Sequence, residues 1–502
     1  MRESLKHQKG PTHLLEVGNE QENSIRIFPT NNKKSIPYAA LSYCWGGDQE
    51  SKTTRDNFQE RLKGWPLESL PKTIRDAVET ARRLGLENLW VDALCIVQDD
   101  DEEMKKEMAI MSQIYSGATI TIAAARAHNV NEGFLHDRDL HQIYEAVYVV
   151  PCRSLEDTKY FRSILLSERP LGILDKNPLD SRAWALQEHL RSFRLLQFGS
   201  KQILWKCPEK LHVDGGDTYE ELVSTSVRLF TGRVDNKPYL HPIGSFAHKY
   251  DLNGLLQNWE DIVSQYSGRS LKYMSDRLPA FAAIAESFAH VMRLPHDAYY
   301  AGLWKFDILM QLRWRRPKDT QKDKWCIERT LPSWSWVSLK GKVIFDHPRL
   351  PWGGETLQVI WDRSRIVLKV PEFKYGEVEY AQLTVKGYMR HAYWTGKCFV
   401  DLTLGGDNVP STPLPIEQSW DLYEEKQQRV WCLEINPNIA GSSHGLLLTM
   451  VNTKIFKRLG YFEFDHSKIS PEPINSQMLA SKKLASNSNW FYNWKFETIV
   501  IQ

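Results

Sequence analysis

Apolar and polar positions along this chain follow two periods, and the switches between them mark its elements. Residues 39–43 are a short apolar run that ends before Gly46-Gly47, as in a buried strand entering a tight loop. Ile74, Ala77, Val78 and Ala81 then recur at three- and four-residue spacing between Pro71 and Gly85, which predicts an amphipathic helix with proline at its start and glycine at its stop. Residues 89–97 read as a second strand. The acidic run 99–103 opens a helix that carries Met104, Met108, Met111 and Tyr115 on one side and closes at Gly117. Residues 118–124, rich in β-branched side chains, read as a third strand. Strand, helix, strand, helix, strand predicts an α/β fold: a parallel sheet with helices on both faces.

From residue 126 the pattern dissolves, apart from a strand expected at 146–150, so 126–179 reads as an insertion or lid. A further helix is expected from Asp180-Ser181, with Trp184, Leu190 and Phe193 turned inward, followed by a strand at 202–207. Residues 1–34 are polar and weakly periodic and read as an N-terminal extension. Beyond 210, helical patterns at 255–266, 278–292 and 300–314 give way to strand-like alternation from about residue 331, with a loop at 405–419. The expected organisation is therefore an extension (1–34), an α/β domain (35–210), a mainly helical region (211–330) and a β-rich region (331–502).

Composition narrows the function classes. With 64 basic and 62 acidic residues among 502, the formal charge is +2, and no global field attracts nucleic acid or an anionic membrane. No apolar run suits a signal-peptide core or a bilayer span, so a cytoplasmic location is expected. Seven scattered cysteines without a C-x-x-C pair read as reduced thiols, and no metal site is expected. Phosphate-binding, dinucleotide, zinc-protease and nucleophile-elbow motifs are all absent.

What remains is a set of polar residues near the carboxyl ends of the predicted strands, where ligands bind in open α/β sheets. Ser42, Tyr43, Trp45 and Gly46 follow the first strand; Asp92, Cys95, Gln98 and Asp99 belong to the second; Arg182, Gln187 and Glu188 lie on the later helix. Asp92 stands out inside an apolar run, where a carboxylate needs a partner; it reads either as a structural ion pair or as a ligand group. Glu188 reads as functional rather than as part of a solvated face, because Trp184 and Gln187 are its neighbours. Cys44 and Cys95 have no histidine nearby in sequence and read as core residues, and His128 and His189 as isolated structural histidines.

Three ordered blocks, Leu41-Ser42-Tyr43-Cys44-Trp45-Gly46, Leu89-Trp90-Val91-Asp92-Ala93-Leu94-Cys95-Ile96-Val97-Gln98 and Arg182-Ala183-Trp184-Ala185-Leu186-Gln187-Glu188, resemble the fungal heterokaryon-incompatibility (HET) domain. Asp276-Arg277-Leu278-Pro279-Ala280 and Pro332-Ser333-Trp334-Ser335-Trp336 look like segments that often follow it. The chain departs from the family pattern at Val97, where Asn is usual, and at Ala185, where Thr is usual. The resemblance implies self/non-self recognition ending in regulated cell death, and a flavodoxin-like fold distantly related to TIR domains.

By that analogy, Ser181, Trp184 and Glu188 repeat the spacing of NAD-cleaving TIR domains, with Trp184 and Glu188 one helical turn apart on one face. The resemblance then implies a nucleotide glycosidic hydrolase. Glu188 would stabilise the ribose cation, Asp92 would hold a ribose hydroxyl or the loop, Tyr43 and Trp45 would stack on a ring, and Arg182 would meet a phosphate. No cofactor is expected, NAD being the candidate substrate; self-association is the other candidate partner interaction. Two rival readings stay open. One is a tailoring enzyme of secondary metabolism that uses the same carboxylates in acid catalysis on a small apolar substrate; the other is a non-catalytic scaffold.

Overall fold

The computed structural model describes residues 10–31, 36–138, 147–153, 161–167, 177–207, 211–214, 233–234, 237–238, 252–317, 330–345, 357–395, 397–400, 416–420, 428–437, 442–465 and 494–502. The chain divides into two compact units, Met1–Pro242 and Ile243–Gln502. Among the described residues no helix is long and apolar enough to cross a membrane.

The first unit is built on a mixed sheet of nine strands. Seven of them are β1 (His13–Glu16), β2 (Ser24–Pro29), β3 (Ala39–Ser42), β4 (Trp65–Pro66), β5 (Asn88–Trp90), β6 (Ile120–Ala123) and β9 (Leu195–Phe198); the others are β10 (Ile203–Lys206) and β11 (Leu211–Val213). They lie in the order β11-β10-β9-β6-β3-β5-β1-β2-β4. At the centre β3 is parallel to β5 and β6, and β6 to β9. Taken in chain order, these four strands stand second, first, third, fourth, the order of flavodoxin-like doubly wound sheets, whose ligand crevice opens at the carboxyl ends of the first and third strands. Here those are β3 and β6.

Every residue of β3 and β6 is buried, as expected for strands covered on both faces. The cover comes from α2 (Lys72–Arg83), which buries Ile74, Ala77, Val78 and Ala81, and from α4 (Asp101–Gly117), which buries Met111, Ile114 and Tyr115. Asp100 caps α4 by accepting from the backbone of Glu102 and Glu103. A shorter helix, α1 (Arg55–Lys63), buries no residue and lacked the periodicity that would have predicted it.

Several expectations need correction. The sheet is parallel only at its centre: β1 is antiparallel to β2 and β5, and β10 to β9 and β11, and no helix lies between β1 and β2 or between β9 and β10. Within the expected extension 1–34, the described residues 10–31 belong to the sheet, since β1 and β2 bury Leu14, Leu15, Ile25 and Ile27. The second strand stops at Trp90, and Asp92 instead opens a single-turn helix, α3 (Asp92–Cys95).

Residues 126–138 are scaffold rather than insertion, with Ala127, Val130 and Phe134 buried in the core. The Asp76 carboxylate on α2 fastens them by accepting the backbone N–H of Phe134 at 2.6 Å and of Leu135 at 3.1 Å. Farther along, β7 (Val147–Arg153) pairs antiparallel with β8 (Phe161–Ser167). The rest of the expected insertion before Asn177 lies outside the described residues. A further helix, α5 (Ala183–Arg191), follows a 3-10 turn at Pro178–Ser181, and β12 (Arg233–Val234) pairs with β13 (Lys237–Pro238).

The second unit joins two helices, α6 (Leu252–Ser267) and α7 (Ala282–Met292), with a nine-stranded sheet. Residues 300–314 are not a continuous helix: β14 (Tyr299–Tyr300) and β15 (Leu303–Trp304) pair across a turn with positive φ at Ala301 and Gly302, and only α8 (Ile308–Gln311) is helical in the α sense. The sheet comprises β16 (Gln358–Val359), β17 (Arg365–Leu368), β18 (Val378–Trp394), β19 (Phe399–Val400), β20 (Ile416–Trp420), β21 (Gln428–Pro437), β22 (Ser442–Asn452), β23 (Ile455–Asp465) and β24 (Lys495–Ile501). Strand β20 replaces the end of the loop expected at 405–419, whose start lies outside the described residues. The two motifs of this half meet: Arg277 lies over the Trp336 ring at 5.4 Å and donates to the carbonyls of Ser267 and Gly341.

Candidate functional site

Four segments deliver polar side chains to the carboxyl end of β3. Ser42, the last residue of β3, donates its hydroxyl hydrogen to the Glu188 carboxylate on α5. His189, the next residue of α5, places Nε2 3.2 Å from the same Ser42 oxygen. The loop after β3 carries Trp45, whose indole N–H donates to Asp92 Oδ2 at 2.9 Å, while the Ala93 N–H donates to Asp92 Oδ1 at 2.7 Å. Arg182, the residue before α5, interacts electrostatically with both Glu188 and Asp92. From α4, the Tyr115 phenol donates to the Leu41 carbonyl at 3.0 Å and also reaches Glu188.

The electrostatics follow from one cation shared between two enclosed carboxylates. Burial pushes the Glu188 carboxyl above the usual range, the Arg182 charge and the Ser42 hydrogen bond pull it back, and the Asp92 charge adds to the rise. Burial likewise raises Asp92 against the opposing pull of Arg182, the Trp45 indole and the Ala93 N–H. Burial works against the Arg182 charge, but Glu188 and Asp92 outweigh it and hold the guanidinium above its ordinary value. Tyr43 and Tyr115 are raised well above theirs by burial and then by neighbouring carboxylates, so both remain protonated donors. Ser42, Gln187 and Glu188 are buried, whereas Trp45, Asp92, Arg182, Trp184 and His189 are half-buried. Glu188 and Ser42 are thus enclosed, while the half-buried residues retain contact with solvent.

Local backbone geometry holds this arrangement. Gly46 has φ +75°, and a Cβ there would lie 2.1 Å from the Asn129 Cβ, so the loop after β3 lies directly on the loop after β6. Tyr43 is 1% exposed, and its hydroxyl and the Gln49 amide engage each other at 3.0 Å, which makes it a support inside the core rather than a stacking surface.

Of the residues singled out from sequence, Ser42, Trp45, Asp92, Arg182 and Glu188 converge, with Tyr43 beneath them and Trp184 and Gln187 on the same helix. Cys95, Gln98 and Asp99 do not join the cluster. The Cys95 thiol contacts the Leu89 carbonyl at 3.8 Å and is pushed up to about 12 by burial. Gln98 donates to the Asp92 and Ile96 carbonyls and clamps the α3 turn, and Asp99 accepts from the Arg55 N–H at the start of α1. Ser181 is exposed and donates to the Pro178 carbonyl, so the serine that meets Glu188 is Ser42. Ala185 lies in an apolar cluster with Cys44, Ala123 and Leu195. Val97 is buried as well.

His189 and Tyr115 belong to the cluster although sequence reasoning assigned the first to a structural role and the second to a helix face. Adjacency to Glu188 was the available signal for His189. Among the described residues no group of three or more His, Cys, Asp or Glu side chains gathers as a metal site would.

A family model described as Heterokaryon incompatibility protein (HET) matches residues 38–188, a span that runs from the residue before β3 to Glu188. No curated protein and no solved structure matches the chain.

Proposed function

Because residues 38–188 of this chain are a heterokaryon incompatibility (HET) domain, we propose that this domain hydrolyses the glycosidic bond of a nucleotide of the NAD type, with Glu188 as the catalytic carboxylate. The observation that carries the reading is the placement of Glu188: buried at the carboxyl end of β3, held by Ser42, and sharing Arg182 with Asp92. Nicotinamide bound to ribose is already cationic and leaves neutral, so bond cleavage needs no general acid. It needs negative charge beside the ribose carbon as positive charge develops there, and a fixed carboxylate in an enclosed site supplies this without solvent reorganisation.

Arg182 opposes the rise that burial imposes on Glu188 and so favours its charged form, and Trp45, held through Asp92, offers an aromatic wall. Loss of cellular NAD would connect the activity to self/non-self recognition that ends in cell death.

One observation favours a second reading, the acid catalyst of secondary metabolism: both carboxyls are raised, as proton donors to an apolar substrate must be. Calorimetric titration of the full chain with NAD, with ADP-ribose and with an apolar terpenoid separates the two. The proposal predicts that NAD and ADP-ribose bind in competition while the terpenoid does not. Binding of the terpenoid alone would transfer the site to the second reading.

A further inference from the structure

Glu188 is buried, and in hydrolysis the attacking water passes it a proton that must leave before the next turnover. Its neighbours differ in their fitness to take that proton. Tyr115 is raised well above its ordinary value by burial and donates to the Leu41 carbonyl; Arg182 stays protonated; Asp92, raised by burial, is engaged by the Trp45 and Ala93 N–H groups. Ser42 touches both Glu188 and a second titratable side chain, His189, which is half-buried where Glu188 is buried. A hydroxyl accepts one proton while it donates another, so it can join the two.

We infer that Ser42 and His189 form the proton outlet of Glu188. The inference rests on the hydrolytic reading for the origin of the proton, but not for the coupling of the three groups. The C–N bond to nicotinamide breaks and its electron pair leaves with the neutral base, while the water oxygen bonds to the ribose carbon. One water proton goes to Glu188. Glu188 then donates to Ser42 Oγ as the Ser42 proton moves to His189 Nε2, which must begin unprotonated, and the imidazolium releases its proton to solvent. Ser42 and His189 act through Glu188 and are positioning residues.

The charged and titratable groups around the outlet come from every neighbouring element: Asp92 on α3, Tyr115 on α4, Cys44 after β3, Arg182 before α5 and Lys206 on β10, whose ammonium lies 3.5 Å from the His189 carbonyl. A nearby cation favours a neutral imidazole, the accepting form, and a nearby carboxylate favours the imidazolium, the form that stores the proton.

The test uses the full chain labelled at histidine, with His189→Gln to assign the resonance. Imidazole titration of His189 is followed by NMR in the wild type and in Glu188→Gln. The outlet predicts that removing the Glu188 charge lowers the His189 midpoint by about one pH unit; an unchanged midpoint overturns it, whether or not the protein cleaves NAD. In turnover of NAD, His189→Gln is expected to lower kcat by about 10²-fold with KM unchanged, and exogenous imidazole is expected to restore part of the loss. Equal losses in kcat and in thermal stability, without rescue, would reduce His189 to a packing role. An absence of NAD cleavage in the wild type together with a shifted midpoint would refute the hydrolytic reading and retain the coupling.

Discussion

Arg182 stands between two carboxylates that burial works to discharge, and its removal has a predictable sign. Without that charge the pull toward ionisation is lost, so Glu188 and Asp92 rise further. Because the proposed chemistry needs ionised Glu188, kcat/KM of Arg182→Gln should fall at neutral pH and recover toward higher pH, with its acid limb displaced upward from that of the wild type. Lys206 gives a stability test. Burial brings it from 10.5 down to about 8, so between those values the unfolded chain holds a proton that the folded chain lacks, and stability contributed by this group rises with pH. Lys206→Met should flatten that rise and raise the melting temperature at pH 7, as scanning calorimetry across pH would show. Glu188, Asp92 and Ser42 were legible in the sequence because each breaks its local pattern: a carboxylate in an apolar run, or a hydroxyl at a strand end. The partnership of Ser42 with Glu188 was not, since the two stand 146 positions apart and only the parallel pairing of β3 with β6 and β6 with β9 brings them together.

At the level of elements, legibility followed length and period. Helices α2 and α4 were read almost to the residue because their apolar spacing, starts and stops agree. Strands β1, β2, β9 and the β14–β15 pair were missed, being two to six residues long and specified by partners remote in sequence rather than by alternation of their own. The loop after β6 was read as an insertion because its order comes from side chains of α2. Asp76→Ala would leave the backbone N–H groups of Phe134 and Leu135 without their carboxylate, and a loss of about 1–3 kcal/mol is expected in urea denaturation. Gly46→Ala should destabilise as well, since the added methyl meets Asn129 at a φ that alanine disfavours. An unaltered denaturation midpoint in either variant would contradict this account of how the loops are fixed.

Across the molecule, each unit has its own core, and the carboxylate cluster belongs to the first. In the second, Trp336 is fully buried against Tyr266, Phe281 and Arg277, so Trp336→Ala should cost about 3–5 kcal/mol in the unfolding of that unit. Below its new melting temperature the variant should still cleave NAD, because no residue of the proposed chemistry lies beyond Lys206. The α/β class and the β-rich second half were both readable from the change of period along the chain. The mixed edges of the first sheet and the junction of Arg277 with Trp336 depend on long-range contacts that no period records. The most direct test of the function is to incubate the purified full chain with NAD and separate nicotinamide from ADP-ribose by chromatography, for the wild type and for folded Glu188→Gln. The account predicts equimolar release of both products by the wild type and a loss of at least about 10²-fold in the variant; equal release by the two proteins, or none by a folded wild type, would contradict it.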